Sequence, residues 1–244
     1  MTNIKTQLVS FILILISAIA FSQPSKQYIS LTVGPSFPIN SYKNTDLNDS
    51  TSGWAKTGIA LEFTYAYRLT HNIGAIVQGT YSSNKFDIFA YSDALTAAYS
   101  LDPNTPDTAF VTESAKNWSA GGLLAGPYLR FPFTEYFSWD IMATVGFYGV
   151  GAPNLTVKGN ISNGDKLENY YMNGGKGYAF AYSFGTGFKY ALSNYYLMVY
   201  AHYYNTSVKI KDVGGWDWNA QPYETSFKQD ISYVSLTFGV GYFF

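Results

Sequence analysis

Period-two alternation of side-chain character recurs along this chain, and no other feature limits the possible folds as much. In the last segment Val234, Leu236, Phe238, Val240, Tyr242 and Phe244 share one parity, while Tyr233, Ser235, Thr237, Gly239, Gly241 and Phe243 share the other. A strand turns successive side chains to opposite faces, so each such run reads as a strand between two environments. Near the start, Ile29, Leu31, Val33 and Phe37 oppose Tyr28, Ser30, Thr32, Gly34 and Ser36. Next, Ile59, Leu61, Phe63, Tyr65, Tyr67 and Leu69 oppose Gly58, Ala60, Glu62, Thr64, Ala66 and Arg68. Eight strands are predicted near 27–39, 56–69, 73–86, 118–133, 136–150, 178–192, 195–209 and 231–244. Three connections are tight: Thr70-His71-Asn72, Thr134-Glu135 and Ser193-Asn194. Four are long and polar, at 40–55, 87–117, 151–177 and 210–230, with turn formers such as Asn163-Gly164-Asp165 and Gly214-Gly215. The expected fold class is all-β: one domain, an antiparallel up-and-down β-barrel of about eight strands, with short turns at one end and long loops at the other.

Alternation alone does not say which face looks out. A water-soluble barrel hides its apolar face and exposes a charged one. Here the polar face is mostly Gly, Ala, Ser and Thr, which suits the crowded interior of a narrow barrel. The regularly alternating apolar face carries no Asp, Glu, Lys or Arg, as lipid contact demands: a charge there costs roughly 2–4 kcal/mol at a bilayer midplane. Composition agrees. Charged residues make up 13% of the 244, about half the share of an ordinary soluble domain, aromatics 19%, and mean hydropathy is only -0.04. Such a chain crosses a membrane with strands and not with helices. Aromatics gather at the predicted strand ends: Tyr67, Phe131, Phe133, Phe137, Trp139, Phe188, Tyr190, Tyr242 and Phe244 by the turns, Trp54 and Trp118 by the loops. They are expected to form interfacial girdles. A net charge of -1 leaves no basic footprint for a nucleic acid, and the absence of Cys excludes disulfides and thiol chemistry.

Residues 1–22 read as a cleaved signal peptide and 23–244 as the barrel domain. Lys5 supplies the positive start, Leu8–Ala20 an apolar run broken only by Ser10 and Ser17, and Ala18-Ile19-Ala20 a small-x-small cleavage site; cleavage after Ser22 also fits. The run is shorter than the roughly 20 residues of a spanning helix. The chain end resembles the C-terminal assembly signal of outer-membrane barrels, with Leu236, Phe238, Val240, Tyr242 and Phe244 at alternating positions. That resemblance implies the barrel-assembly machinery as a partner during biogenesis. From about Gln27 to Phe244 the chain resembles the small outer-membrane β-barrel proteins of the OmpA-transmembrane, OmpX and OmpW type. Gly126-Pro127-Tyr128-Leu129-Arg130-Phe131 and Gly187-Phe188-Lys189-Tyr190 are most similar to porin-family barrels of Bacteroidetes. The family implies a Gram-negative outer membrane, lipid partners and turns in the periplasm. A peptidoglycan-binding domain is not expected, because alternation runs to Phe244.

By parity the lumen receives Glu62, Arg68, Arg130, Asp140 and Lys189, and all but Glu62 lie near a tight turn. Buried charges need partners, so a salt-bridged plug is expected, with Asp140 the shared acceptor; an ion pathway is the alternative. His71 falls in a turn. His202 faces the lumen beside Tyr200 and Tyr204, and reads as a hydrogen-bonded histidine. The lipid A deacylase pattern needs Ser two residues after His, where this chain has Ile73 and Tyr204. No metal-ligand spacing, phosphate-binding glycine loop or nucleophile elbow occurs, so no catalytic residue, metal or cofactor is expected. Trp216 and Trp218 sit in the last long loop, as candidate contacts for an extracellular ligand or for neighbouring loops. The expected role is structural or surface-interactive through the loops, with a narrow solute channel second and a lipid-modifying enzyme a distant third.

Overall fold

The computed structural model describes residues 26–100, 109–114, 116–160 and 169–244; the predicted signal peptide lies outside them. In chain order the elements are β1 (Gln27–Pro38), α1 (Asn40–Lys43), β2 (Ala55–Arg68), β3 (Ile73–Phe86), α2 (Ile88–Ser100), β4 (Ala109–Ser114), β5 (Trp118–Pro132), β6 (Phe137–Gly151), β7 (Leu155–Asn160), β8 (Tyr170–Met172), β9 (Lys176–Leu192), β10 (Tyr195–Trp216) and β11 (Pro222–Phe243). Eight of the strands form a closed antiparallel ring, β1-β2-β3-β5-β6-β9-β10-β11, with β11 pairing back onto β1. Leu31 opposite Val240 and Leu197 opposite Val240 fix the register on the two sides of β11.

The two parities separate as the alternation predicts. Leu31, Val33, Ile59, Leu61, Phe63, Val77, Leu123, Val145, Phe184, Leu197, Phe238 and Val240 all lie exposed on the outer wall. Ser30, Thr32, Glu62, Thr64, Gln78, Thr80, Asp140, Ser183, Lys189, His202, Ser235 and Thr237 are buried inside. Burial is thus inverted relative to a soluble protein: polar groups fill the interior and apolar ones coat the exterior. At the turn end, the Leu69 and Thr70 N–H groups both donate to the Ile73 carbonyl, and Phe133 N–H donates to the Phe137 carbonyl.

The loop end differs from the expectation of four long polar loops. The segment 87–117 contains helix α2 and strand β4, and 151–177 contains β7 and β8. The predicted loop 210–230 is mostly strand: β10 and β11 continue as one hairpin to a tight turn, where Asp217 N–H donates to the Gln221 carbonyl. The physical reason is a switch of polarity. Lower on β10 the inward residues are polar, as at His202 and Thr206. Higher up Val208, Ile210 and Val213 turn inward and are buried, while Lys209 and Lys211 face out. Alternation persists but its sense reverses where the wall passes from an apolar to an aqueous surrounding.

These inward apolar residues build a lid. Tyr42, Trp54, Phe86, Trp118, Tyr148, Val150, Leu155, Ile210 and Ile231 form one buried cluster over the barrel mouth. Trp54 and Trp118 therefore belong to the lid and not to an interfacial girdle as expected; Trp118 Nε1 donates to the Gly53 carbonyl inside it. The girdle at this end is made instead by outward rings such as Phe147, Tyr178 and Phe180, the second of them 81% exposed. Beside the lid, β4, β7 and β8 extend the sheet from β10. Helix α2 covers the outer edge of β4: Phe110 N–H donates to Thr96 Oγ1 and Thr112 N–H to Ser92 Oγ. An uncovered edge would template pairing with another chain.

Candidate functional site in the barrel lumen

Below the lid the lumen carries two charged layers. The layer nearer the turns centres on Asp140, from β6, and Lys189, from β9. Lys189 Nζ lies 2.6 Å from Asp140 Oδ2, and the two side chains are 4% and 0% exposed. Tyr200 donates its hydroxyl to the same carboxylate oxygen at 2.8 Å. The ammonium also sits over the Tyr28 ring, 3.7 Å from its centroid, with Tyr128 and Tyr196 at 5.6 and 5.4 Å. Three electron-rich ring faces and one carboxylate thus replace the water that this cation loses. Tyr28 packs edge-on against Tyr128 and Tyr196, which closes the cage around the amine.

Arg130 lies directly opposite Asp140 in the β5–β6 ladder, yet Asp140 pairs with Lys189. Arg130 is half-buried; its Nε and Asp140 Oδ1 are buried without a hydrogen-bond partner among the described residues. Arg68 stands half-buried at the end of β2. The structure therefore divides the predicted five-residue network. Asp140 and Lys189 form a direct pair, Arg68 and Arg130 border it at the turn-end mouth, and Glu62 belongs to a separate layer.

That second layer lies at mid-barrel. Glu62 accepts from Ser235 Oγ at 2.9 Å, Thr32 Oγ1 at 3.4 Å and Thr237 Oγ1 at 3.5 Å. His202 Nδ1 approaches Glu62 Oε2 to 3.1 Å, although the ring N–H is not aligned for a hydrogen bond. Its Nε2 lies 3.1 Å from Met142 Sδ. Gln78 bridges Thr64 and Thr144. His202 is sandwiched along β10 between Tyr200 and Tyr204, at 5.4 and 5.6 Å between ring centroids. Gly185 makes room for that imidazole; a Cβ there would fall 2.0 Å from a ring carbon.

The void between the two layers, lined by Tyr28, Ser30, Glu62, Gln78, Met142 and His202 among others, measures about 10 Å³. That is room for about one water molecule. A much larger hollow of about 590 Å³ is an apolar groove on the outer wall, between Leu129, Ile141, Phe184 and Tyr203. Above the second layer Thr80 meets the Tyr148 hydroxyl at 2.6 Å, and Tyr148 meets Tyr233 at 3.4 Å. At the lid, burial pushes the Tyr91 phenol up to about 12, with Tyr170 and Tyr99 adding to the effect, so it stays neutral under all ordinary conditions.

Trp218 packs at a tilt against Tyr170 and edge-on against Phe110 within the loop assembly, whereas Trp216 is exposed. Of the five predicted assembly-signal residues, Leu236, Phe238 and Val240 lie on the outer wall of β11, and Tyr242 stacks on Phe244 and meets Tyr195 at a tilt at the turn end. The partners that sequence reasoning missed are the three-tyrosine cage, Met142 and the hydroxyls on β11 around Glu62. Each shares the lumen parity of its strand, which is a signal for position but not for contact.

No protein-family model and no curated protein matches this chain in sequence. Solved structures do match in fold. A major outer membrane protein from Thermus thermophilus superposes with a TM-score of 0.52 at 11% identity, covering 89% of this chain and 99% of that one. Ail, the attachment invasion locus protein of Yersinia pestis, matches at 0.44 with 12% identity, covering 91% and 100%. The outer membrane protein OprG of Pseudomonas aeruginosa matches at 0.42 with 14% identity, covering 90% and 96%. With its closed eight-strand ring and apolar outer wall, this chain has the fold of a small outer-membrane β-barrel.

Proposed function

We propose that the protein is an integral barrel of the bacterial outer membrane, exported through residues 1–22, whose lumen is closed and whose work is done at the surface by its loop assembly. The observation that carries this reading is the filled cross-section. Two buried layers, Asp140–Lys189 with its tyrosine cage and Glu62–His202 with its hydroxyls, leave space for about one water between them. An eight-stranded interior is just wide enough for side chains to fill. The lid of Trp54, Trp118 and Ile210 then seals the loop end. In this reading the turns face the periplasm and the loops face out. The outward belt contacts lipid, and the sequence Leu236 to Phe244 is read by the assembly machinery. Trp216, exposed on the protruding hairpin, is the candidate anchor for an extracellular ligand. The role is non-enzymatic.

Two measurements test this. Cell fractionation should recover the protein in the outer membrane with heat-modifiable gel migration; recovery as a soluble periplasmic protein sinks the membrane reading. Planar-bilayer recording on refolded protein should show no steady conductance, and a stable single-channel current would establish the narrow channel instead.

A further inference from the structure

Four lysines meet on the outer wall where they repel one another. In the β10–β11 ladder Lys209 stands directly opposite Lys228, and in the β9–β10 ladder Lys211 stands directly opposite Lys176. Lys209 and Lys211 are two residues apart on one strand and so share a face. All four are exposed. Like charges directly opposite on a sheet are destabilising. Among the described residues, no carboxylate lies within 4.0 Å of any of the four ammonium groups. Asp230, on the same face, accepts a hydrogen bond from Ser207 instead.

Their height is informative. From Tyr195 to Lys209 the outward positions of β10 span 14 residues, about 35 Å along the axis at roughly 3.3 Å per residue and a tilt of about 40°. The apolar band of such a barrel is about 25 Å tall, which leaves Lys209 about 10 Å beyond its upper edge. The polarity switch on β10 marks the same level, because Val208 and Ile210 turn inward there. Aromatic rings adjoin the lysines: Tyr178 lies on β9 two residues from Lys176, between the paired positions Ala181–Thr206 and Lys176–Lys211, with Phe180 two residues nearer the turn end and Phe147 facing Phe180 across the β6–β9 ladder. Rings at the interface beneath long amines are the arrangement by which barrel walls meet headgroups.

We propose that Lys176, Lys209, Lys211 and Lys228 form a binding surface for the phosphate groups of an anionic lipid in the outer leaflet. The inference rests on the membrane reading above and deepens it by assigning a lipid contact to one sector of the wall. The phosphate supplies an acceptor to ammonium groups that have no carboxylate within 4.0 Å among the described residues. Tyr178, Phe180 and Phe147 pack beside the glycerol or sugar and the upper acyl chain. Each lysine held at an anionic surface raises lipid retention about fivefold.

The test uses full-length mature protein refolded in phosphatidylcholine vesicles doped with bisphosphorylated lipid A, or with the same lipid after enzymatic removal of its phosphates. Lipid co-purified after mild detergent extraction is quantified by mass spectrometry. Wild type should retain the phosphorylated form, and the quadruple variant K176Q/K209Q/K211Q/K228Q should retain several hundredfold less at low salt, on the order of fivefold per lysine. The K209Q/K228Q double variant should fall between them, and the dephosphorylated lipid should bind both proteins equally weakly. Heat-modifiable migration of each variant reports folding and insertion separately, so a failure to insert counts against the membrane reading and not against this surface. Equal retention of phosphorylated lipid by inserted wild type and inserted quadruple variant overturns the proposal. So does lysine-dependent binding of a soluble sulfated polysaccharide without lysine-dependent lipid retention, which would make the patch a polysaccharide surface.

Discussion

Replacing Asp140 by Ala isolates the pair on which the closed lumen depends. The variant removes a carboxylate 2.6 Å from Lys189 Nζ and 2.8 Å from the Tyr200 hydroxyl, in a place where neither partner reaches bulk water. Breaking a buried ion pair from one side costs about 3–5 kcal/mol, because the remaining charge keeps its desolvation penalty and loses its attraction. The ring faces of Tyr28, Tyr128 and Tyr196 remain, but they favour the cation equally before and after the change and offset nothing in the difference. Lys189→Met should cost a similar amount by stranding the carboxylate. The double variant D140A/K189M strands neither member of the pair and puts an apolar chain among three rings, but leaves the Tyr200 hydroxyl without its acceptor, so it should lie within about 1–3 kcal/mol of wild type. The coupling energy of the cycle should therefore exceed about 2 kcal/mol, whereas independent sites add to within roughly 0.5 kcal/mol. Reversible urea unfolding from lipid vesicles, followed by tryptophan fluorescence and gel mobility, measures all four corners. Single-variant losses that simply sum in the double variant would refute the argument that these two charges stabilise each other.

Two further outcomes follow from the walls of the barrel. Phe63, half-exposed in the middle of β2, should cost roughly 2–4 kcal/mol when replaced by Lys if it faces lipid, but under about 0.5 kcal/mol if it faces water; the same vesicle unfolding assay distinguishes these. Replacing Tyr242 and Phe244 together by Ser should lower the folded yield in cells severalfold while leaving most of the refolded stability in vitro, because Phe244 contributes one backbone hydrogen bond to Gln27 and the ring stack at the turn end; unchanged insertion in cells would remove the assembly-signal assignment.

The sequence by itself determined the eight strands of the ring and, over their lower, membrane-level parts, the face each residue occupies. Those follow from a period of two, which any stretch of chain expresses locally. Thus Glu62, Asp140, Lys189 and His202 could all be placed inside from their neighbours alone. What the lumen charges touch was decided by the tertiary structure. Asp140 takes Lys189 and not the Arg130 directly across its ladder, and Tyr28 reaches the amine from β1 on another part of the ring. Contacts across a barrel depend on how far neighbouring strands are staggered as the sheet closes, and a pattern that repeats every two residues is the same at every stagger. The upper half of β10 and β11 shows the complementary limit. Alternation continues through Val208, Lys209, Ile210 and Lys211, but its sense reverses, and a reading that expects apolar residues outside ends the strand there. Only the closed lid of Trp54, Trp118, Ile210 and Ile231 shows why the apolar parity turns inward: above the membrane, water surrounds the wall and the barrel mouth becomes the dry side.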